Sequence, residues 1–223
     1  MSKSNLTRWS GLAAMLGGVL GIVLAPVATS ASFVAYGGSP PSWVSPLRPA
    51  LDALLAFATP AEVYATYGKV FFLVFLLFLA GLAGLRAQVG EDVGQQGKLG
   101  FQLAYVGLAM NLAGNITDYW LGEEILHQPL WGASFVMFTL LGLLVYMVGS
   151  IFLGLATWRA NTLPRWAAGA LMLAPPLTIV NSIWGVRHIP SAQVLPQAVA
   201  WVLVGYFLWV DKRAGAAQPR PAI

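Results

Sequence analysis

Hydrophobic residues occur in long runs separated by short polar segments. The six runs lie near residues 11–36, 61–85, 99–121, 132–157, 165–187 and 194–210. Five of them are long enough for an α-helix to cross about 30 Å of hydrocarbon at 1.5 Å per residue, and the last, of 17 residues, is at the lower limit for a span. Strand-like alternation is absent, so helices are the predicted spanning elements. We therefore expect an all-α, polytopic transmembrane bundle of six spans, forming one domain over residues 1–213, with a flexible cytoplasmic tail at 214–223.

Composition supports a membrane environment. Hydrophobic residues make up 58% of the chain and charged residues only 9%, whereas about a quarter of the residues of a soluble domain are charged. The pI of 9.6 does not indicate nucleic acid, because the basic residues flank the apolar runs. The expected partner is the lipid bilayer. The chain has no cysteine, which excludes disulfides and thiolate nucleophiles.

The basic residues predict the topology. Nine of the twelve fall in segments on one side of the six runs, namely Lys3, Arg8, Arg86, Lys98, Arg159, Arg165, Lys212, Arg213 and Arg220. The positive-inside rule then places both ends in the cytoplasm, and a bacterial cytoplasmic membrane is the expected location. The first run also resembles a cleavable signal peptide ending near Ala28-Thr29-Ser30-Ala31, and its cleavage would leave five spans.

Polar residues repeat on one face of four predicted spans: the third, the fifth, the second with Glu62, Thr66 and Lys69, and the sixth with Gln193, Gln197 and Trp201. Asn111, Asn115 and Asp118 share a face of the third span, close to Gly107 and Gly114, so a neighbouring helix is expected to approach closely there.

In the fifth span, Asn181 and His188 share a face after Pro175-Pro176, two prolines expected to distort the helix. These stripes lie toward the predicted outer half of the bilayer.

A polar pocket is the resulting site hypothesis. We expect Lys69 of the second span to pair with Asp118. Asn111, Asn115 and Asn181 would form the floor of the pocket beneath them, with His188 nearby. Each residue also has a simpler interpretation: Lys69 could snorkel to the interface, the asparagines could join helices, and Asp118 could lie at the wet end of its helix.

Other chemistry finds little support. His127 and His188 are predicted near loop ends, which disfavours haem, and a divalent metal held by His127, Glu123 and Glu124 is equally disfavoured. No serine-hydrolase, phosphate-loop or metalloprotease motif occurs, so no catalytic residue, metal or cofactor is assigned.

Four segments resemble a loose group of bacterial multi-span membrane proteins to which no activity is assigned. They are Arg8–Ala14, Asn115–Gly122, Leu163–Ala168 and Val199–Tyr206. The resemblance implies a bacterial cytoplasmic membrane and adds no chemistry.

The sequence favours a non-enzymatic membrane protein. It would bind or transport a small ligand or ion, or serve as an accessory subunit beside a membrane-protein partner. The rivals are an intramembrane enzyme acting on lipid, with Asp118 or His188 as general base, and a purely structural protein whose polar stripes pack together without a cavity.

Overall fold

The computed structural model describes residues 3–36, 41–56, 59–90, 93–185 and 194–210, and these are almost entirely helical. The α-helices are α1 (Lys3–Tyr36), α2 (Val44–Leu54), α3 (Pro60–Val89), α4 (Gly94–Asn115), α5 (Gly122–Ser134), α6 (Leu141–Arg159), α7 (Arg165–Val180) and α8 (Leu195–Val210). Three π-helical segments, Ile116–Leu121, Phe135–Leu140 and Asn181–Gly185, follow α4, α5 and α7. The all-α prediction is confirmed.

Four helices in the described parts of the chain are long and apolar enough to cross a membrane. They are Asn5–Ala31, Ala61–Val89, Ile125–Arg159 and Arg165–Ile183. Residues 195–210 form an apolar helix that is shorter than these. Helix α4, which carries the polar stripe, is not among the four. Its asparagines and Asp118 lower its apolar character, although all of them are buried inside the bundle.

Small residues bring the helices into backbone contact. A Cβ added to Gly107 of α4 would collide with the Tyr146 backbone of α6, and one on Gly149 would collide with Ala104. Where α1 meets α8, a Cβ on Gly11 would lie 2.7 Å from the carbonyl oxygen of Gly205. Such close approach maximises van der Waals packing, which drives helix association in lipid. The predicted role of Gly107 is thereby confirmed.

The core runs through all the long helices except α5. Its largest fully buried side chain is Trp201 of α8, which is 1% exposed and stacks on Phe78 of α3 with ring centroids 5.3 Å apart. Helix α1 packs against both α3 and α8, α4 packs against α6, and α7 packs against α6 and α8. Helix α3 also packs against α4, so α1 and α4 both contact α3.

Local signals set several helix ends. Thr59 caps α3 by accepting a hydrogen bond from the Glu62 N–H at 3.2 Å, with Pro60 at the first helical position. The sequence predicts a short apolar helix over residues 49–57, and the structure has α2 at Val44–Leu54. The sequence also predicts an outward-facing loop at 122–131, but these residues belong to α5, which has a break at His127, whose φ is 58°.

The adjacent prolines Pro175 and Pro176 do not end α7. The helix continues from Arg165 to Val180, and the departure from α-helical geometry comes after them, in the π-helical turn Asn181–Gly185. The π-helical turn lies after the prolines, whereas the distortion was expected in the turn before them, which is part of α7.

We predict that Gly107→Ala lowers the free energy of unfolding by about 1–3 kcal/mol, because the added methyl group overpacks the α4–α6 contact. Gly132→Ala is the matched control, since a Cβ on helical Gly132 meets no heavy atom within 4 Å. The measurement is equilibrium unfolding in detergent micelles. Equal losses in the two variants would show that the close contact at Gly107 does not matter.

Candidate functional site

A cavity of about 390 Å³ opens between α1, α3, α4 and the two π-helical segments that follow α4 and α5. Its lining includes the polar residues Asn111, Asn115, Asp118 and Thr139, together with the hydroxyl-bearing residues Thr29, Tyr64 and Tyr119. The volume lies within the range of pockets that take small molecules. The predicted polar stripe of the third span therefore faces a cavity.

The π-helical turn Ile116–Leu121 positions the end of this stripe. Its wider turn begins directly after Asn115, and Asp118 and Tyr119 within it both line the cavity. Single π-helical turns of this kind are frequent at functional sites. Here the turn carries a carboxylate and an aromatic ring into the same wall.

Asn115 joins α4 to α3. Its Nδ2 donates to the carbonyl oxygen of Gly68 at 2.8 Å, and the Tyr119 ring packs so closely on Gly68 that a side chain there would collide with it. The amide oxygen Oδ1 of Asn115 is buried and has no hydrogen-bond partner among the described residues. One end of this amide is therefore fixed, and its acceptor is unsatisfied.

Asp118 shows the same asymmetry. Its Oδ2 accepts a hydrogen bond from the Thr139 hydroxyl at 2.7 Å, whereas Oδ1 is buried and unpartnered within the described parts of the chain. The side chain is 8% exposed. A buried acceptor without a donor costs about 1–3 kcal/mol, and more when it is charged. Two such oxygens in one cavity indicate a place for a ligand, ion or water.

Aromatic rings form much of the remaining lining. They are Phe33, Tyr64, Phe71, Phe75 and Tyr119. The Tyr64 and Tyr119 rings lie 5.0 Å apart, and their hydroxyl oxygens are separated by 3.2 Å. The cavity thus joins a small polar wall to a larger aromatic one.

The predicted ion pair between Lys69 and Asp118 is wrong. The Lys69 ammonium lies over the Trp120 ring, 5.5 Å from its centroid, and the carboxylate is bound by Thr139. The reason is angular: on α3, Gly68 faces the cavity, and the next residue along a helix points about 100° away. Lys69 and Asp118 were expected at a similar depth in the bilayer, but the Lys69 side chain does not point toward the cavity that Asp118 lines.

The other residues predicted to line the pocket are Asn111, Asn181 and His188, and the structure brings only the first of them to the cavity among the residues that it describes. Asn111 lines the cavity, and its Nδ2 donates to the Gly107 carbonyl oxygen at 2.8 Å. Asn181 follows α7, which packs on α6 and α8, and it is not part of the cavity lining. His188 lies outside the described residues.

A second polar cluster joins α6 to α8. Trp201 Nε1 donates to the Tyr146 hydroxyl at 2.7 Å, and that hydroxyl donates to Gln197 Oε1 at 2.9 Å. The three side chains are buried. Gln197 Nε2 is buried and has no hydrogen-bond partner among the described residues, so the cluster joins the two helices through only one end of this amide.

Sequence reasoning missed Thr139, Tyr64 and Tyr119. A threonine in an apolar run gives little signal, since it commonly bonds to its own helix. Tyr64 and Gly68 are four residues apart and therefore lie on the same face of α3. This spacing was the available clue that Tyr64 faces the cavity.

Comparisons with family models, curated proteins and solved structures give no match for this chain.

We predict that Lys69→Met and Asp118→Asn have additive effects on the free energy of unfolding, within about 0.5 kcal/mol, because the two groups share no contact. Lys69→Met should cost about 0.5–1 kcal/mol through its lost contact with Trp120. A double-mutant cycle in detergent measures the coupling. A coupling energy well above 1 kcal/mol would show that Lys69 and Asp118 interact, as the predicted ion pair requires.

Proposed function

We propose that this chain is an integral membrane protein that binds a small molecule or ion in the cavity beside Asp118, as a transporter or as a binding subunit of a membrane complex. The observation that carries the proposal is that two buried oxygens, Asn115 Oδ1 and Asp118 Oδ1, have no hydrogen-bond partner in the described parts of the chain and belong to residues that line a cavity of about 390 Å³. A ligand that donates to them would remove their desolvation cost.

The proposal includes six spans in a bacterial cytoplasmic membrane. Residues 94–121 are helical throughout and would extend about 40 Å. Residues 195–210 form a helix of about 24 Å, which local thinning of the bilayer accommodates at modest cost. The buried face of α4 accounts for its polar residues, so both segments are suited to cross.

Both ends of the chain are proposed to lie in the cytoplasm. The Arg8 guanidinium lies 4.9 Å from the centre of the Trp209 ring, which brings the start of α1 to the end of α8. Arg159 donates to Gln96 Oε1 at 2.8 Å, which joins the end of α6 to the start of α4. Arg86 and Lys98 line one further cavity. This clustering of cations supports the positive-inside assignment.

Helix α1 is proposed to be retained as a span. It packs between α3 and α8, where Gly18 meets the carbonyl oxygen of Ala198 and Gly17 meets Leu77. Ala25, Ala28 and Thr29 of α1 also line the cavity. Removing α1 would open the cavity on one side.

An intramembrane enzyme acting on lipid is the second candidate, and one contact favours it. The Thr139 hydroxyl donates to Asp118 at 2.7 Å, which is the geometry of a general base beside a hydroxyl group. Turnover of a bilayer lipid that is lost in Thr139→Val would support this candidate over simple binding.

The test is a thermal-shift screen of the purified full chain against ions, metabolites and lipids. A ligand present at 100 times its Kd should stabilise the fold by about 2.7 kcal/mol. We expect this increment to shrink in Asn115→Leu and to persist in Glu62→Gln, a control on the exposed first turn of α3. The proposal fails if no compound stabilises the protein, or if Asn115→Leu leaves every increment unchanged.

A further inference from the structure

The polar wall of the cavity offers acceptors. The side-chain donors of Asn111, Asn115 and Thr139 already donate to Gly107, Gly68 and Asp118 within the protein. Among the described lining residues, the buried side-chain atoms without a hydrogen-bond partner are two oxygens, Asn115 Oδ1 and Asp118 Oδ1. A ligand that pairs with these oxygens must therefore bring hydrogen-bond donors or positive charge.

No cationic side chain among the described lining residues balances Asp118. Lys69, the partner predicted from the sequence, places its ammonium over Trp120 and does not line the cavity. A carboxylate in a low-dielectric site is strongly stabilised by a nearby positive charge. The charge that balances Asp118 can come from the ligand.

The aromatic wall distinguishes an organic cation from a metal ion. Calcium takes six to eight oxygen ligands and magnesium requires an octahedral shell, but much of this lining is ring surface from Phe33, Tyr64, Phe71, Phe75 and Tyr119. Ring faces attract ammonium groups and accept their alkyl substituents, and quaternary ammonium ions are the ligands that aromatic cages commonly take.

We propose that this cavity binds a small organic cation, an amine or a quaternary ammonium ion. Asp118 Oδ1 serves as its counter-ion, Asn115 Oδ1 as a second acceptor, and the rings of Phe71 and Phe75 contact its alkyl groups. This inference rests on the proposed function, because it names the class of ligand for the same cavity.

The experiment compares two probes of nearly equal shape on the full chain in detergent micelles. Choline carries a quaternary nitrogen, and 3,3-dimethylbutan-1-ol has a neutral carbon in its place. We expect choline to raise the melting temperature in a saturable manner and the alcohol to bind at least about tenfold more weakly. Sodium chloride and potassium chloride are tested at equal ionic strength, to show whether inorganic cations stabilise the protein as choline does.

Matched variants locate the binding. Asp118→Asn should weaken choline binding about tenfold or more, whereas Glu62→Gln should leave it unchanged. Phe71→Leu should also weaken it. Phe72→Leu is its control, because Phe72 packs on Trp120 and does not line the cavity. The Phe71 and Phe72 pair keeps the test decisive if Asp118→Asn fails to fold.

The outcomes separate this inference from the function on which it rests. Equal binding of choline and the alcohol, or Asp118-dependent binding of alkali cations alone, would overturn the organic cation and leave a ligand-binding cavity. Binding of anions or neutral metabolites that Asn115→Leu abolishes would do the same. Absence of stabilisation by every class of compound would overturn both.

Discussion

A polar atom buried in hydrocarbon needs a partner inside the protein, because no water is there to supply one. The Tyr146, Gln197 and Trp201 cluster meets this requirement in part: its hydroxyl and indole groups are paired, whereas Gln197 Nε2 has no partner among the described residues. Within the same part of the chain, Asn115 and Asp118 are each hydrogen-bonded through one atom and unsatisfied at another. These two side chains differ from Gln197 in that both line the cavity.

Close packing elsewhere makes the cavity informative. Glycines such as Gly107 and Gly149 let α4 and α6 meet backbone to backbone, and the Trp201 side chain is fully buried in the core. A chain that packs this tightly could have filled the space beside α4 with larger side chains. Small residues of α1, Ala25 and Ala28, line it instead, which maintains the volume. A purely structural role gives no reason for that choice.

The sequence predicted the helices and the inward face of α4 because hydrophobic length and a spacing of three or four residues are local properties. Thus Asn111, Asn115 and Asp118 were found together. The partner of Asp118 was not, since the angular position of Lys69 depends on how α3 is rotated about its axis. The π-helical turn at Ile116–Leu121 also carries no local signal that distinguishes it from an α-helix. Asn181 was misplaced because the sequence does not state which helices are neighbours.

The most direct test of the account is the reactivity of a single thiol placed in the cavity of this cysteine-free chain. Ala28→Cys puts the thiol in the cavity lining, and Leu76→Cys, on the exposed face of α3, is the control. Trimethylammonium-ethyl and sulfonato-ethyl methanethiosulfonates differ in charge. We predict that both reagents modify the Ala28→Cys variant and that the preference for the cation falls about tenfold when Asp118→Asn is added. An unreactive thiol in the Ala28→Cys variant, or a preference that Asp118→Asn leaves unchanged, would contradict a ligand cavity whose charge is set by Asp118.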